Sequence, residues 1–378
     1  MIIMELLFIF SLATAVFVGI NIGGSSTGVA FGPSVGSKLL SKPGAAALMS
    51  FFVFLGGWTV GRNVIDTMGG KIVPASQFSL TASAVILFFI GGSLLISNLS
   101  GVPASTSMTA VGAIAGLGLA SGTLNWEMMG RIMSWWLVAP AVAFLAGGVI
   151  GRYLYVHMDE FFHIDQSKGS LLKYRGRIPV GRGRNTSYRE LVSSVLVVAI
   201  ACYMGFSAGA SNVANAVAPL VGSGGGGIIQ MNTGILLAVA AISVGSFSIA
   251  RKTLDTVGDG ITDLPLLASL VVSTVSASII SVLSFLGIPA SLAISATMCI
   301  TGLGWGRASR TVKVRDTLQG KKPEMKTKET NQIGEEEEEN LPDDRLFKPE
   351  MIGHVVTLWI LTPTISAAAS YAVFAILF

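Results

Sequence analysis

The chain has 378 residues, of which 51% are hydrophobic and 12% charged, with a formal net charge of +4 and a mean hydropathy of +0.69. A water-soluble domain carries about 25% charged residues, so this composition excludes one and describes a polytopic chain dissolved mostly in lipid. The basic excess lies in loops, where it marks membrane anchoring and makes no case for nucleic-acid binding.

Apolar stretches near 2–20, 44–61, 80–98, 133–155, 191–208, 231–250, 264–286 and 351–377 approach the twenty or so residues that a bilayer span needs. The first lacks a basic leader and contains Glu5, so it reads as a span and not as a signal peptide. Shorter or interrupted segments near 22–37, 103–120, 210–222 and 289–305 carry glycine, serine, threonine or asparagine in place of leucine. They predict re-entrant or discontinuous helices, whose free ends are where transporters bind substrate. Polar loops at 156–190, with Lys173, Arg175, Arg177, Arg182 and Arg184, and at 306–350, with the acidic run Glu335 to Glu339, are both expected to be cytoplasmic.

The chain repeats itself. Arg62-Asn-Val-Ile-Asp66-Thr67-Met-Gly69 returns as Arg251-Lys-Thr-Leu-Asp255-Thr256-Val-Gly258, and Gly101-Val-Pro103-Ala-Ser105 returns as Gly287-Ile-Pro289-Ala-Ser291. The segment after Gly304 enters a basic loop, whereas its match after Gly118 enters a stretch with no basic residue before Arg131. Equivalent positions therefore face opposite sides, as in an inverted-topology repeat. The expected organisation is a first transmembrane repeat at 1–155, a basic loop at 156–190, a second repeat at 191–305, a charged loop at 306–350 and a last helix at 351–378. The fold class is all-α, with about 10–12 membrane segments, some of them broken.

Hydroxyls and glycines crowd together at Gly23-Gly-Ser25-Ser26-Thr27-Gly, and the second repeat has Gly209-Ala-Ser211-Asn212-Val-Ala-Asn215. Amides freed at a glycine-broken helix start, with the positive end of the helix dipole, would form an anion site. Small residues also serve close helix packing, so both readings stand here. Ser105, Thr106 and Ser107 open a segment that would point hydroxyls inward, and capping of a half-helix is the plainer role for them. The partner segment keeps Ser291 alone before Leu292 and Ala293. Arg62 with Asp66, and Arg251 with Asp255, are four residues apart and within ion-pair reach on one helix face. They are read first as braces or gates of the repeats, and second as coupling residues. Cys202, Cys299 and the three histidines show no ligand spacing, so neither a metal nor another cofactor is expected.

These motifs resemble the inorganic phosphate transporter family, whose duplicated signature reads Gly-Ala-Asn-Asp-Val-Ala-Asn-Ala. The resemblance implies a secondary carrier of two inverted repeats that couples inward phosphate movement to sodium or protons. Substrate contacts would come from Ser25, Ser26, Thr27, Ser105, Thr106, Ser107, Ser211, Asn212, Asn215 and Ser291. The chain departs from the signature where Ser25-Ser26 and Ser211-Asn212 replace Asn-Asp, and Val29 replaces the second asparagine of the first copy. Both signature carboxylates are lost, which opens sulfate as the alternative substrate, with proton coupling, as in the sulfate permeases of that family. Asp66 and Asp255 are then the remaining intramembrane protonation candidates. An anion channel is the rival outside the carrier class, and no enzyme motif is present. The expected setting is the cell membrane, with the oligomeric state open between monomer and homodimer.

Overall fold

The computed structural model describes residues 2–37, 39–100, 105–162, 172–175, 178–182, 188–222, 227–250, 254, 266–309 and 349–377. The helices are α1 (Ile2–Gly36), α2 (Lys42–Trp58), α3 (Gly61–Asp66), α4 (Leu80–Ser100), α5 (Thr106–Ala120), α6 (Trp126–Val149), α7 (Tyr155–Phe162), α8 (Tyr188–Val221), α9 (Met231–Ser248), α10 (Leu266–Phe285), α11 (Leu292–Ala308) and α12 (Pro349–Leu377). A π-helical turn, Thr67–Lys71, prolongs α3, and a second one, Ile150–Leu154, joins α6 to α7. The architecture is helical as expected. One small addition lies in the basic loop, where β1 (Leu172–Arg175) pairs antiparallel with β2 (Ile178–Arg182).

Five described helical stretches are long and apolar enough to cross a membrane: Ile2–Gly36, Trp126–Met158, Leu191–Val221, Met231–Ser248 and Leu266–Phe285. The pair Lys42–Trp58 and Gly61–Lys71, bent by 59°, passes the same test jointly, as a broken span or a re-entrant loop. In hydrocarbon every backbone polar group needs an internal partner, and a helix supplies one from its own chain.

Two of the four segments expected to be discontinuous are not. Residues 22–36 simply continue α1, and 210–221 continue α8, even though Pro33 and Pro219 lie inside these helices. Ser25 and Thr27 donate to the carbonyls of Asn21 and Gly23 one turn earlier, so their hydroxyls cling to the helix that they were expected to break. The helix starts inside the protein occur instead at α5 and α11.

The glycines explain the continuity, because they bring backbones into contact. A Cβ at Gly23 would collide with the carbonyl of Ile242 on α9, and one at Gly209 with that of Val53 on α2. Likewise Gly56 on α2 meets Phe206 on α8, while Gly245 on α9 meets Ile20 on α1. These are the same contacts made twice, since Gly23 corresponds to Gly209 and Gly56 to Gly245 in the two repeats. Each repeat's first helix thus packs on the other repeat's second helix: α1 on α9 and α8 on α2.

The last helices are exchanged in the same way, with α5 against α12 and α11 against α6. Gly116 abuts the carbonyl of Ala367, and Gly302 that of Phe144. Ser366 and Ser370 of α12 donate to the carbonyls of Thr109 and Ala113 on α5, at 2.9 and 2.6 Å. At one end of the bundle Arg152 donates to the Ser309 carbonyl at 3.0 Å, and the Arg307 guanidinium lies 4.5 Å from the Tyr155 ring centre. The start of α7 and the end of α11 therefore lie together at one end of the bundle.

Overpacking at a backbone contact costs about 1–3 kcal/mol or more. Gly56→Leu and Gly245→Leu are expected to lower the melting temperature and the monodisperse yield of detergent-extracted protein. Gly92→Leu, with open space around its Cβ position, is expected to leave both unchanged.

Candidate functional site

Two helices begin inside the protein, and each begins with a serine. The Ser105 hydroxyl accepts from the Met108 amide at 3.3 Å to cap α5, and the Ser291 hydroxyl accepts from the Ile294 amide at 3.4 Å to cap α11. Both caps are extended at the backbone and buried. Each cap satisfies one of the orphan amides of a helix start and leaves others available, with the positive end of the helix dipole behind them.

Both starts meet on α8. The Ser211 hydroxyl donates to the carbonyl of Ala290, the residue before the α11 cap, at 2.8 Å, and lies 3.3 Å from the hydroxyl of Ser107 in the first turn of α5. One turn further along α8, the Asn215 amide nitrogen donates to the Ser107 hydroxyl and to the Asn212 side-chain oxygen, both at 3.1 Å. Asn212 in turn donates to the Ser26 hydroxyl on α1 at 3.4 Å. A chain of hydroxyls and amides thus ties α1, α8, α5 and the α11 entry together. Asn215 is fully buried, yet its side-chain oxygen has no hydrogen-bond partner. Among the described residues, no Asp, Glu, Lys or Arg takes part in this network.

The loop into α11 is held from three sides. Gly287 adopts a φ of +73°, and Ile288 N donates to Leu283 O at 2.8 Å, which ends α10 in the left-handed turn that favours glycine. A side chain at this position would also press on Thr67. Asn63 of α3 donates to the Phe285 carbonyl at 2.7 Å, Trp136 of α6 donates to the Pro289 carbonyl at 2.9 Å, and Ser211 holds Ala290.

Ser26, Ser105, Ser107, Ser211, Asn212, Asn215 and Ser291, all predicted from sequence, belong to this assembly, and Thr106 is the first residue of α5. Ser25 and Thr27 stand outside the network. Ser25 bonds only to its own helix, and Thr27 lies 2.8 Å from Ser246 of α9 in the helix contact described above. The amides of 23–36 and 209–219 are not freed to bind an anion, because those residues are helical.

The Arg62–Asp66 ion pair is not made. Arg62 folds back over Trp58, 4.6 Å from the ring, and donates to the Trp58 carbonyl and the Asn232 side chain, both at 2.7 Å. It braces α3 to the start of α9 across the two repeats. Arg251 and Asp255 lie outside the described residues. Asn63 and Trp136, which hold the loop into α11, escaped the sequence reading. Asn63 was the more accessible of them, since it sits inside the duplicated Arg–Asp motif.

Inverted repeats with exchanged helices around a buried polar centre define a membrane transport protein. The fold is shared with a solved structure, "The sodium-dependent phosphate transporter", at a TM-score of 0.69 over 98% of each chain and 20% identity. Residues 22–370 match the family model described as "Phosphate transporter family", and the chain belongs to that family. Among similar proteins, the "Sulfate permease CysP" of Bacillus subtilis is 28% identical over 81% of this chain and 79% of its own length. A "Putative phosphate permease" of Chlamydia pneumoniae is 26% identical over 82% and 92%, and one of Haemophilus influenzae is 24% identical over 77% and 86%.

Removing the Ser107 hydroxyl leaves one of the two Asn215 amide hydrogens without its partner in a buried site, and a lost bond of about 1.4 kcal/mol corresponds to about tenfold. Ser107→Ala is expected to lower the transport rate by about that factor at unchanged membrane abundance. Ser25→Ala is expected to stay within about twofold, because the hydroxyl bonds only its own backbone. Initial-rate uptake, normalised to protein in the membrane, checks both.

Proposed function

We propose that the chain is a secondary permease for inorganic phosphate that works by alternating access in the cell membrane, driven by a cation gradient. The observation that carries this reading is the convergence of the α5 and α11 starts on Ser211. Two dipole ends and their free amides favour an oxyanion without holding it by fixed charge. Ser105, Thr106, Ser107 and Ser291 would contact the anion. Ser211, Asn212, Asn215 and Ser26 would shape the wall behind it, and Ser25 and Thr27 serve helix packing. Membership of the phosphate transporter family supports phosphate as the substrate. The unpartnered Asn215 oxygen is a neutral ligand suited to a cation and unable to take up a proton, which supports sodium over proton coupling. Asp66, within the bent helix pair, is the group that would serve a proton-coupled cycle. The segments 156–190 and 306–350 are assigned to the cytoplasm by their basic residues.

Sulfate is the second reading, and one observation favours it. The described site holds no carboxylate to accept the O–H that phosphate carries at neutral pH, whereas fully ionised sulfate needs donors alone. The similarity to a protein named as a sulfate permease points the same way.

Uptake of labelled phosphate and labelled sulfate into proteoliposomes, under an imposed sodium or proton gradient, tests both readings. Phosphate is expected to accumulate above its equilibrium level under a sodium gradient. Failure of both anions to accumulate under either gradient would overturn the carrier. Asn212→Asp restores a carboxylate at the position where the family signature has one. It is expected to raise the phosphate-to-sulfate uptake ratio by about tenfold, since the acid rewards an O–H and repels a dianion.

A further inference from the structure

A groove of about 160 Å³ lies where the π-helical turn Ile150–Leu154 and α7 meet α8 and α10. Ile150 and Met158 form one wall, Leu196 and Ile200 of α8 a second, and Val271 and Val275 of α10 a third. None of the lining residues belongs to the polar centre described above. The one hydroxyl among them, that of Thr274, donates back to the Leu270 carbonyl at 2.8 Å and is spent on its own helix. An apolar cavity of this kind stays dry and takes hydrocarbon. Leu154, Val192 and Val195, neighbours of the lining residues along the same helices, are exposed apolar side chains, so the groove opens on a face suited to lipid.

The groove lies at the basic end of these helices. The α7 and α8 helices bound the segment 163–187, whose sequence has six Lys or Arg against a single Asp. Met158 stands near the end of α7, and Leu196 and Ile200 stand in the first half of α8, so the groove occupies the part of the helices next to that segment. Arg307, in the last turn of α11, is close by. Its guanidinium lies 4.5 Å from the ring centre of Tyr155, which is one turn before Met158 and packs in the same apolar cluster as Leu267 and Val271 of the groove. The Arg307 Nη1 is buried without a hydrogen-bond partner, while the side chain as a whole is only part-buried. The protein thus leaves part of this charge unanswered, and phosphate oxygens match the fork of guanidinium donors.

We propose that the groove seats one anionic glycerophospholipid, with an acyl chain between α7, α8 and α10 and its phosphate on Arg307. The lining runs from Leu267 to Val275 along α10, about 12 Å of helix, which suits a length of alkyl chain. A turn of helix about 10 Å across and about 5.4 Å long fills about 400 Å³, so the groove is too small to receive a helix of a second copy. The lipid fastens the π-helical turn to α8 and α10, and α10 leads into the loop that carries Ser291. This inference needs a chain that spans a bilayer and is independent of which anion the chain carries.

Full-length protein in mild detergent, stripped of lipid, is offered phosphatidylglycerol or phosphatidylcholine at equal concentration, and retained lipid is counted by native mass spectrometry. One phosphatidylglycerol per chain is expected to be retained, at least about tenfold more tightly than phosphatidylcholine, as a charge-assisted contact implies. Arg307→Gln keeps the groove and is expected to reduce the retention of phosphatidylglycerol to that of phosphatidylcholine. Val275→Phe copies Phe89, the matching residue of α4, and fills the groove; it is expected to weaken retention of both lipids by about tenfold. Equal retention of the two lipids by the unaltered protein overturns the site, whether or not the phenylalanine variant folds. Unchanged retention in folded Val275→Phe overturns it as well, and a changed oligomeric state with unchanged lipid would give the groove to a second copy. Inorganic phosphate alone serves as the remaining probe. If it raises the melting temperature of the unaltered protein and not of Arg307→Gln, the arginine belongs to the free anion and the lipid assignment falls.

Discussion

A helix that begins inside a protein leaves several amide groups with no water to receive them, and among the described residues two helices begin this way, at Ser105 and Ser291. Those exposed donors are the constraint on which the rest of the structure depends. Ser105 and Ser291 each satisfy one amide. The remaining donors leave a positive pole, and in the permease proposed above an anion would satisfy them in place of water. Everything around them has the task of holding two such poles at one place. Ser211 joins them directly, and Asn63 and Trp136 clamp the loop that delivers the second.

Among the described residues this centre holds no fixed charge, and that has consequences for turnover. A lysine or arginine at the site would bind an oxyanion tightly and release it slowly, whereas dipoles and hydroxyls give a shallower well. Two described arginines serve elsewhere as mechanical parts. Arg62 spans from α3 to α9, and Arg152 ties the π-helical turn after α6 to the residue that follows α11. Each joins elements of different repeats at the edge of the bundle, where guanidinium groups keep polar partners.

The duplication was legible in the sequence because its motifs are short, polar and rare in an apolar chain. The capping serines were legible too, since serine after Pro-Ala in a glycine-flanked segment announces a helix start. The continuity of α1 and α8 was not, because glycine, serine and threonine at 23–27 have the composition of a break. A hydroxyl that returns to the preceding turn, and a glycine pressed against a neighbouring backbone, both require knowledge of what lies beside the helix. The Arg62–Asp66 spacing misled for a related reason. Four residues along a helix permit an ion pair, yet the side chain of Trp58 and the start of α9 offered Arg62 better partners. Asn63 went unremarked because its partner is a carbonyl 222 residues away.

The reciprocal exchange of helices bears on how the chain is made. The α5 helix finds its partner on α12 through bonds that link residues 257 apart in sequence, and α1 waits for α9 in the same way. While the first half is being inserted, its glycine faces have only lipid against them. Contacts of such long range form late and slowly. The two halves therefore mature together, and the inverted duplication behaves as one cooperative folding unit. It is closer to a dimer of fused subunits than to two domains in tandem.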